Sequence, residues 1–120
     1  IKLELLEYAD KNLERDQMLA IVTTLTQHQK LIYLAILKNE DDVMAGSDIF
    51  RHYLEECESY NIKPLSERRV RSFIIELTEM GLIESEVGWL STAKKKTRKI
   101  SVNLDSAVRN KAVKLIRDSI

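Results

Sequence analysis

Pro64 and Gly81 constrain this chain more than any other pair of residues. The sequence holds one proline and three glycines, so few places force regular structure to stop. Pro64 cannot continue a helix, and it pushes Lys63 toward extended backbone. Ser66, two residues on, is a good helix N-cap. Gly81 directly follows Met80 and supplies the left-handed stop that helices favour at their C-terminal end. Between them Val70, Phe73, Ile74 and Leu77 recur at steps of three and four. The spacing predicts a helix opened by Ser66 and closed before Gly81, with one buried stripe. Beyond Gly81 the period changes. Residues 82–87 and 97–104 are rich in β-branched residues or alternate apolar with polar, most cleanly at Ile100, Val102 and Leu104. They are predicted to be the two strands of a β-hairpin.

Upstream, Leu3, Leu6, Leu13, Met18, Ile21, Val22 and Leu25 recur at helical spacing. Residues 1–24 therefore read as one long helix or as two helices broken near Asp10. Thr26 followed by Gln29 has the form of a capping box and opens another helix. Leu31, Ile32, Leu34, Ala35, Ile36 and Leu37 make that helix apolar nearly all round, which places it at the centre of the core. The polar stretch KNEDDVMAGSD is a loop with a short extended piece at Val43 and Met44. A third helix starts at Ser47, or at the corner of Ala45 and Gly46, and runs to about residue 60. Ile49, Phe50, Tyr53, Leu54 and Cys57 are its expected inner face. Asp105 can cap a last helix, with Val108, Ala112, Leu115 and Ile116 facing inward. The fold class is mostly α with a small β-hairpin.

Charge is balanced overall, at 19 basic and 19 acidic residues, but it is unevenly placed. Residues 38–58 carry seven acidic groups against two basic, a net of −5. Residues 63–99 carry nine basic groups against five acidic, a net of +4. Much of the second block is TAKKKTRKI, residues 92–100, where Lys94, Lys95, Lys96, Arg98 and Lys99 fall within six positions. A dipolar chain of this kind orients in the field of a polyanion even at zero net charge.

Several function classes find no foothold. The glycines are Gly46, Gly81 and Gly88, so no phosphate-cradling loop can be built, and no catalytic residue is assigned. His52 and Cys57 are five apart, off the spacing that shares a helix face, so no metal site is assigned. The acidic run at residues 40–42 lacks the spaced ligands and glycine of a calcium loop. His28 reads as a hydrogen-bonded residue of a packed helix. Cys57 stands alone and has no internal disulfide partner. No apolar run reaches the roughly 20 residues of a membrane helix, and a cytoplasmic setting is expected. The chain begins at Ile1 rather than Met, and reads as a fragment of something longer or a processed product.

Three helices followed by a β-hairpin form the winged version of the helix-turn-helix. There the second helix of the pair enters the major groove of DNA, and the hairpin, or wing, reaches an adjacent groove or the backbone. The helix after Pro64 is then the reader, with Ser66, Glu67, Arg68, Arg69, Arg71 and Ser72 as its candidate contacts. Its arginines cluster at the N-terminal end, where the helix adds partial positive charge. Arginine can bind phosphate or bridge guanine O6 and N7. The candidate wing contacts are Thr92, Lys94, Lys95, Lys96, Thr97, Arg98 and Lys99. Their charges are expected to add affinity and salt sensitivity rather than sequence choice. Trp89 reads as packing at the root of the hairpin, with a stacking or wedging contact on DNA as the alternative. A charge run alone is usually a solvated loop, and arginine on a helix often pairs with a Glu one turn away. Here both runs fall where the winged fold presents its contacts.

Three stretches carry a family resemblance. TLTQHQKLIYLAIL (24–37) has Leu25, His28, Gln29, Lys30, Leu31, Leu34, Ala35 and Ile36; PLSERRVRSFIIELTEMGLI (64–83) has Pro64, Leu65, Ser66, Arg68, Arg69 and Val70; TRKISVNL (97–104) follows. In that order and spacing the chain resembles the C-terminal winged-helix domain of the archaeal replication initiators, relatives of the eukaryotic origin-recognition and cell-division-cycle loader proteins. The likeness spans about residues 14–104. It implies residues 1–13 as a linker or the end of a lid-domain helix, residues 14–104 as the winged helix, and residues 105–120 as a helix packed on it. It further implies binding to double-stranded origin DNA by a monomeric fragment. In the full protein it implies an AAA+ ATPase module using ATP and Mg, and partners such as the replicative helicase or other initiator subunits. The chain departs from the family at AGSDIF, where a Thr-Gly start is usual. It departs again at STAKKKTRK, which replaces a glycine-arginine-rich wing tip and implies more purely electrostatic contacts. Two readings from other classes stay open: a winged helix that docks protein through its acidic third helix, and a stand-alone transcription regulator dimerised through its last helix.

Overall fold

The computed structural model describes residues 17–39, 43–90, 95–102, 104 and 106–120. Residues 17–24 are helical (α1) and bring Val22 and Leu25 into the core. The expected helix or helix pair over residues 1–16, and the cap at Asp105, lie outside the described residues.

α2 (Gln27–Leu37) is opened by the capping box expected from Thr26 and Gln29. The Gln29 backbone N–H donates to Thr26 Oγ1 at 3.4 Å, and the Thr26 N–H donates to Gln29 Oε1 at 3.0 Å. Every residue from Leu31 to Leu37 is buried, so α2 is the axis on which the other helices pack. α3 (Gly46–Ser59) starts at the Ala45 corner, with no side chain capping it. Its inner face is Ile49, Tyr53, Glu56 and Cys57. Leu54, expected on that face, is exposed, and Phe50 is half-buried. The burial of Ile49, Tyr53 and Cys57 at steps of four sets the stripe, and Glu56 shares it while Leu54 falls outside. The Glu56 carboxylate is tolerated there because Lys38 Nζ lies 2.6 Å away.

Both helices of the central pair end in the same way. After α3, Asn61 takes a left-handed φ of 54°. The Ile62 N–H then donates to Cys57 O at 2.8 Å, and the Asn61 N–H to Glu58 O at 3.1 Å. After α4 (Glu67–Glu79), Gly81 has φ 81°. The Leu82 N–H donates to Leu77 O at 3.1 Å, and the Gly81 N–H to Thr78 O at 3.0 Å. Each is the paired bond set of a Schellman stop. Asn61 rather than Pro64 is therefore what halts α3, since asparagine tolerates the left-handed region.

The sheet has three antiparallel strands in the order β1-β3-β2. They are β1 (Val43–Ala45), β2 (Glu84–Leu90) and β3 (Lys95–Ser101). β1 pairs only with the root of β3, from Val43 opposite Ser101 to Ala45 opposite Lys99. β2 and β3 continue as a free two-stranded arm, out to Leu90 opposite Lys95. Ile100, opposite Met44 on one side and Ser85 on the other, plugs the sheet into the core. α5 (Ser106–Ser119) lays Val108, Ala112 and Ile116 inward, with Leu115 half-buried. Arg109 donates to Asn39 O at 3.2 Å, tying α5 to the end of α2. No helix among the described residues is long and apolar enough to cross a membrane.

Candidate nucleic-acid interface

α4 buries Val70, Ile74 and Leu77, and this fixes which residues face outward. Ser66, Glu67, Arg68, Arg69, Arg71 and Ser72 are all exposed, as the apolar stripe dictates. The Ser66 hydroxyl accepts from the Arg69 N–H at 3.3 Å and caps the helix. The first turn thus presents its remaining N–H groups beside three guanidinium groups.

The three arginines are held differently. Arg71 reaches back to Glu67 at 3.0 Å, the i,i+4 pair that a solvated helix favours. Arg69 lies over the Phe73 ring, 5.6 Å from its centroid, which orients the guanidinium along the helix. Arg68 has no ion-pair partner among the described residues. The Ser72 hydroxyl donates to Arg68 O at 3.3 Å and is turned into the helix rather than outward.

Two half-buried contacts set where α4 sits. Gln29 Nε2 donates to Glu76 Oε2 at 2.9 Å, so the residue that caps α2 also grips α4. The Leu65 N–H donates to the Tyr53 hydroxyl at 2.9 Å, which fixes the chain one residue ahead of the Ser66 cap. The same hydroxyl lies 2.8 Å from His28 Nδ1. Burial pushes the Tyr53 phenol from its usual 10.0 up to about 12, so it keeps its proton across the ordinary pH range. His28 is a hydrogen-bonded helix residue, as its position in α2 suggests, and Tyr53 is the hub joining α2, α3 and the turn before α4. The sequence marks Tyr53 only as apolar core, because its hydroxyl partners come from two distant segments.

On the wing, Thr92 and Lys94 lie outside the described residues. Lys95 and Thr97 stand in β3 opposite Leu90 and Gly88. Lys96 and Arg98 are exposed, on the face that Ile100 shares. Arg98 donates to Ser85 Oγ at 3.2 Å. Lys99 is turned to the opposite face, where it pairs with Glu86 at 3.3 Å. Its stem crosses Gly88: a Cβ there would sit 3.2 Å from Lys99 Cε. Trp89 does not pack at the hairpin root. It lies opposite Lys96, well out on the arm, and is exposed. The strand pairing runs three residues past the expected end at residue 87, which carries the indole beyond the core.

The residues and their arrangement find close counterparts. The family model described as CDC6, C terminal winged helix domain, matches residues 20–112. The ORC1-type DNA replication protein 1 of Aeropyrum pernix is 34% identical over 106 residues, 85% of this chain and 26% of that protein. The ORC1-type DNA replication protein of Pyrococcus furiosus is 34% identical over 82 residues, 66% of this chain and 20% of that protein. A structure of the Aeropyrum pernix ORC1 protein in complex with DNA superposes with a TM-score of 0.77 at 28% identity, covering 92% of this chain and 29% of that one. Cdc6p from Pyrobaculum aerophilum shares the fold, with a TM-score of 0.63 at 24% identity, over 80% of this chain and 26% of that one. The chain therefore spans between a fifth and three tenths of these proteins. The AAA+ ATPase module implied by the sequence resemblance is not among its 120 residues. The chain belongs to the CDC6 C-terminal winged helix family, the winged-helix domain found in archaeal ORC1-type replication initiators.

Proposed function

We propose that this domain binds double-stranded DNA at replication origins, with α4 reading the major groove and the β2–β3 arm engaging the backbone or groove alongside. The observation that carries the reading is the likeness, over 92% of the chain, to an ORC1 protein whose structure was determined with DNA. The exposed arginines of α4 and the exposed Lys96 and Arg98 of β3 stand at the two places where a winged helix meets a duplex. Arg68, Arg69 and Arg71 carry the base-edge and phosphate contacts of the reader, and Ser66, Glu67 and Ser72 shape its first turns. Within a full-length initiator this domain would place an ATP- and Mg-dependent ATPase module on origin DNA and present it to the replicative helicase.

The test is a titration of labelled duplex, with and without an origin sequence, at several salt concentrations. The expected result is a linear fall of log K with log salt, and tighter binding to the origin duplex at every point. Binding that is weak and indifferent to salt would overturn the reading in favour of a protein-docking module. Sedimentation of the free domain as a dimer would favour a stand-alone regulator.

A further inference from the structure

Val87 and Trp89 are the most exposed large apolar side chains among the described residues, at 63% and 64%. Single exposed apolar residues are ordinary on a protein surface. These two differ in their setting. They are two apart on β2, so they point to one face of the arm. They lie on the part of the arm beyond Ala45, where β1 ends opposite Lys99. Arg98 stands directly opposite Val87, and Lys96 directly opposite Trp89. Neither cation has a carboxylate partner among the described residues. The two acidic groups of β2, Glu84 and Glu86, are on the other face, and Glu86 is paired with Lys99. The result is one face bearing two apolar side chains and two unneutralised cations, each pair separated by about 5 Å across the strands.

The complement of such a face is a surface that alternates negative charge with apolar walls at short range, which is what a DNA groove offers in its phosphates and deoxyribose edges. We propose that Trp89, with Val87 beneath it, is the apolar contact of the wing with duplex DNA. The indole sets against deoxyribose and base edges, while Lys96 and Arg98 hold the flanking phosphates. This rests on the DNA-binding reading above and deepens it. It gives the wing a contact whose strength does not come from counterion release, and which therefore persists at salt concentrations that weaken the lysines.

Trp89 is the sole tryptophan of the chain, so emission excited selectively at tryptophan, beyond the absorption of the four tyrosines, reads this position alone. Titration with a duplex the parent binds is expected to quench and shift that emission to saturation. Trp89→Ala is expected to weaken duplex binding about tenfold or more while leaving the slope of log K against log salt unchanged. Trp89→Phe should recover most of the loss, and Lys96→Ala should instead lower the slope by about one. Because the side chain is exposed, circular dichroism of Trp89→Ala should match the parent. Parent-like affinity of Trp89→Ala, or emission unaltered at saturating duplex, would overturn the proposal while leaving DNA binding intact. Emission that shifts with protein concentration alone would also overturn it, because a second copy of the chain would then cover the patch. Failure of the parent itself to bind duplex would remove both this contact and the reading on which it rests.

Discussion

The Tyr53 hydroxyl lies 2.8 Å from His28 Nδ1 and accepts the Leu65 N–H at 2.9 Å. One phenol on α3 thus connects the middle of the core to the residue preceding the Ser66 cap of α4. Tyr53 is fully buried, and its two partners are half-buried. Tyr53→Phe keeps the ring and removes the hydroxyl, leaving the Leu65 N–H unsatisfied. The expected cost is about 0.5–1.5 kcal/mol of unfolding free energy, the net worth of an ordinary hydrogen bond, since the Leu65 N–H is half-buried. Urea denaturation measures it. A double-mutant cycle with His28→Ala should show coupling, because the two side chains share the bond. If the turn is what aims α4, Tyr53→Phe should also weaken duplex binding under conditions where the variant is fully folded.

Alkaline pH should act through the same phenol. Burial raises both Tyr33 and Tyr53 from 10.0 to about 12. The folded state therefore holds these protons more tightly than the unfolded chain. Their contribution to stability is complete below pH 10, the unfolded value, and is lost as pH rises through about 12. Thermal unfolding followed from pH 9 upward should show a falling midpoint across that window. Tyr53→Phe removes one of the two groups, so its midpoint should fall less steeply with pH than that of the parent. Equal slopes would show that Tyr53 titrates alike in both states.

On α4 the pairing of Arg71 with Glu67 at 3.0 Å sets a competition. A phosphate must displace Glu67 to take Arg71, and Glu67 itself repels the backbone. Glu67→Gln should therefore strengthen duplex binding. The gain is at most about fivefold at low salt, since an exposed pair of this kind is worth about 0.2–1 kcal/mol. Arg68→Ala, at a position with no ion-pair partner to release among the described residues, should weaken binding more than Arg71→Ala does. Equilibrium titrations of the three variants against one duplex settle the order.

How much of this was legible in the residues depends on how local each signal is. Thr26 with Gln29, Ser66, and Gly81 were readable because a cap or a stop is written within a few residues of the bond it makes. The end of α3 near residue 60 is legible as well, and Asn61, three residues before Pro64, carries the left-handed turn that makes it. Hydrophobicity puts Leu54 inside, yet the helix phase set by Ile49, Tyr53 and Cys57 turns it out and brings Glu56 in. Lys38, on another segment, makes that burial tolerable, and no local pattern foretells it. The exposure of Trp89 depends on how far β2 and β3 pair and where β1 ends, and strand register is a non-local property. The fold was therefore readable in outline, while the sorting of wing residues between two faces was not.

That sorting gives the last prediction. Lys99 counts in the sequence as one more wing cation, yet strand alternation turns it away from Lys96 and Arg98 and onto Glu86 at 3.3 Å. Its amine is already partly neutralised, so it releases few counterions on meeting a phosphate. Lys96→Ala should lower the salt slope by about one. Lys99→Ala should lower it by clearly less, while costing little stability because the pair is half in solvent. Glu86→Gln should then free Lys99 and steepen the slope relative to the parent, and should have no such effect in a Lys99→Ala background. Duplex titrations across a salt series, run on these four variants side by side, give the comparison. Equal losses from Lys96→Ala and Lys99→Ala would mean that the whole arm, rather than one face of it, lies in the field of the DNA.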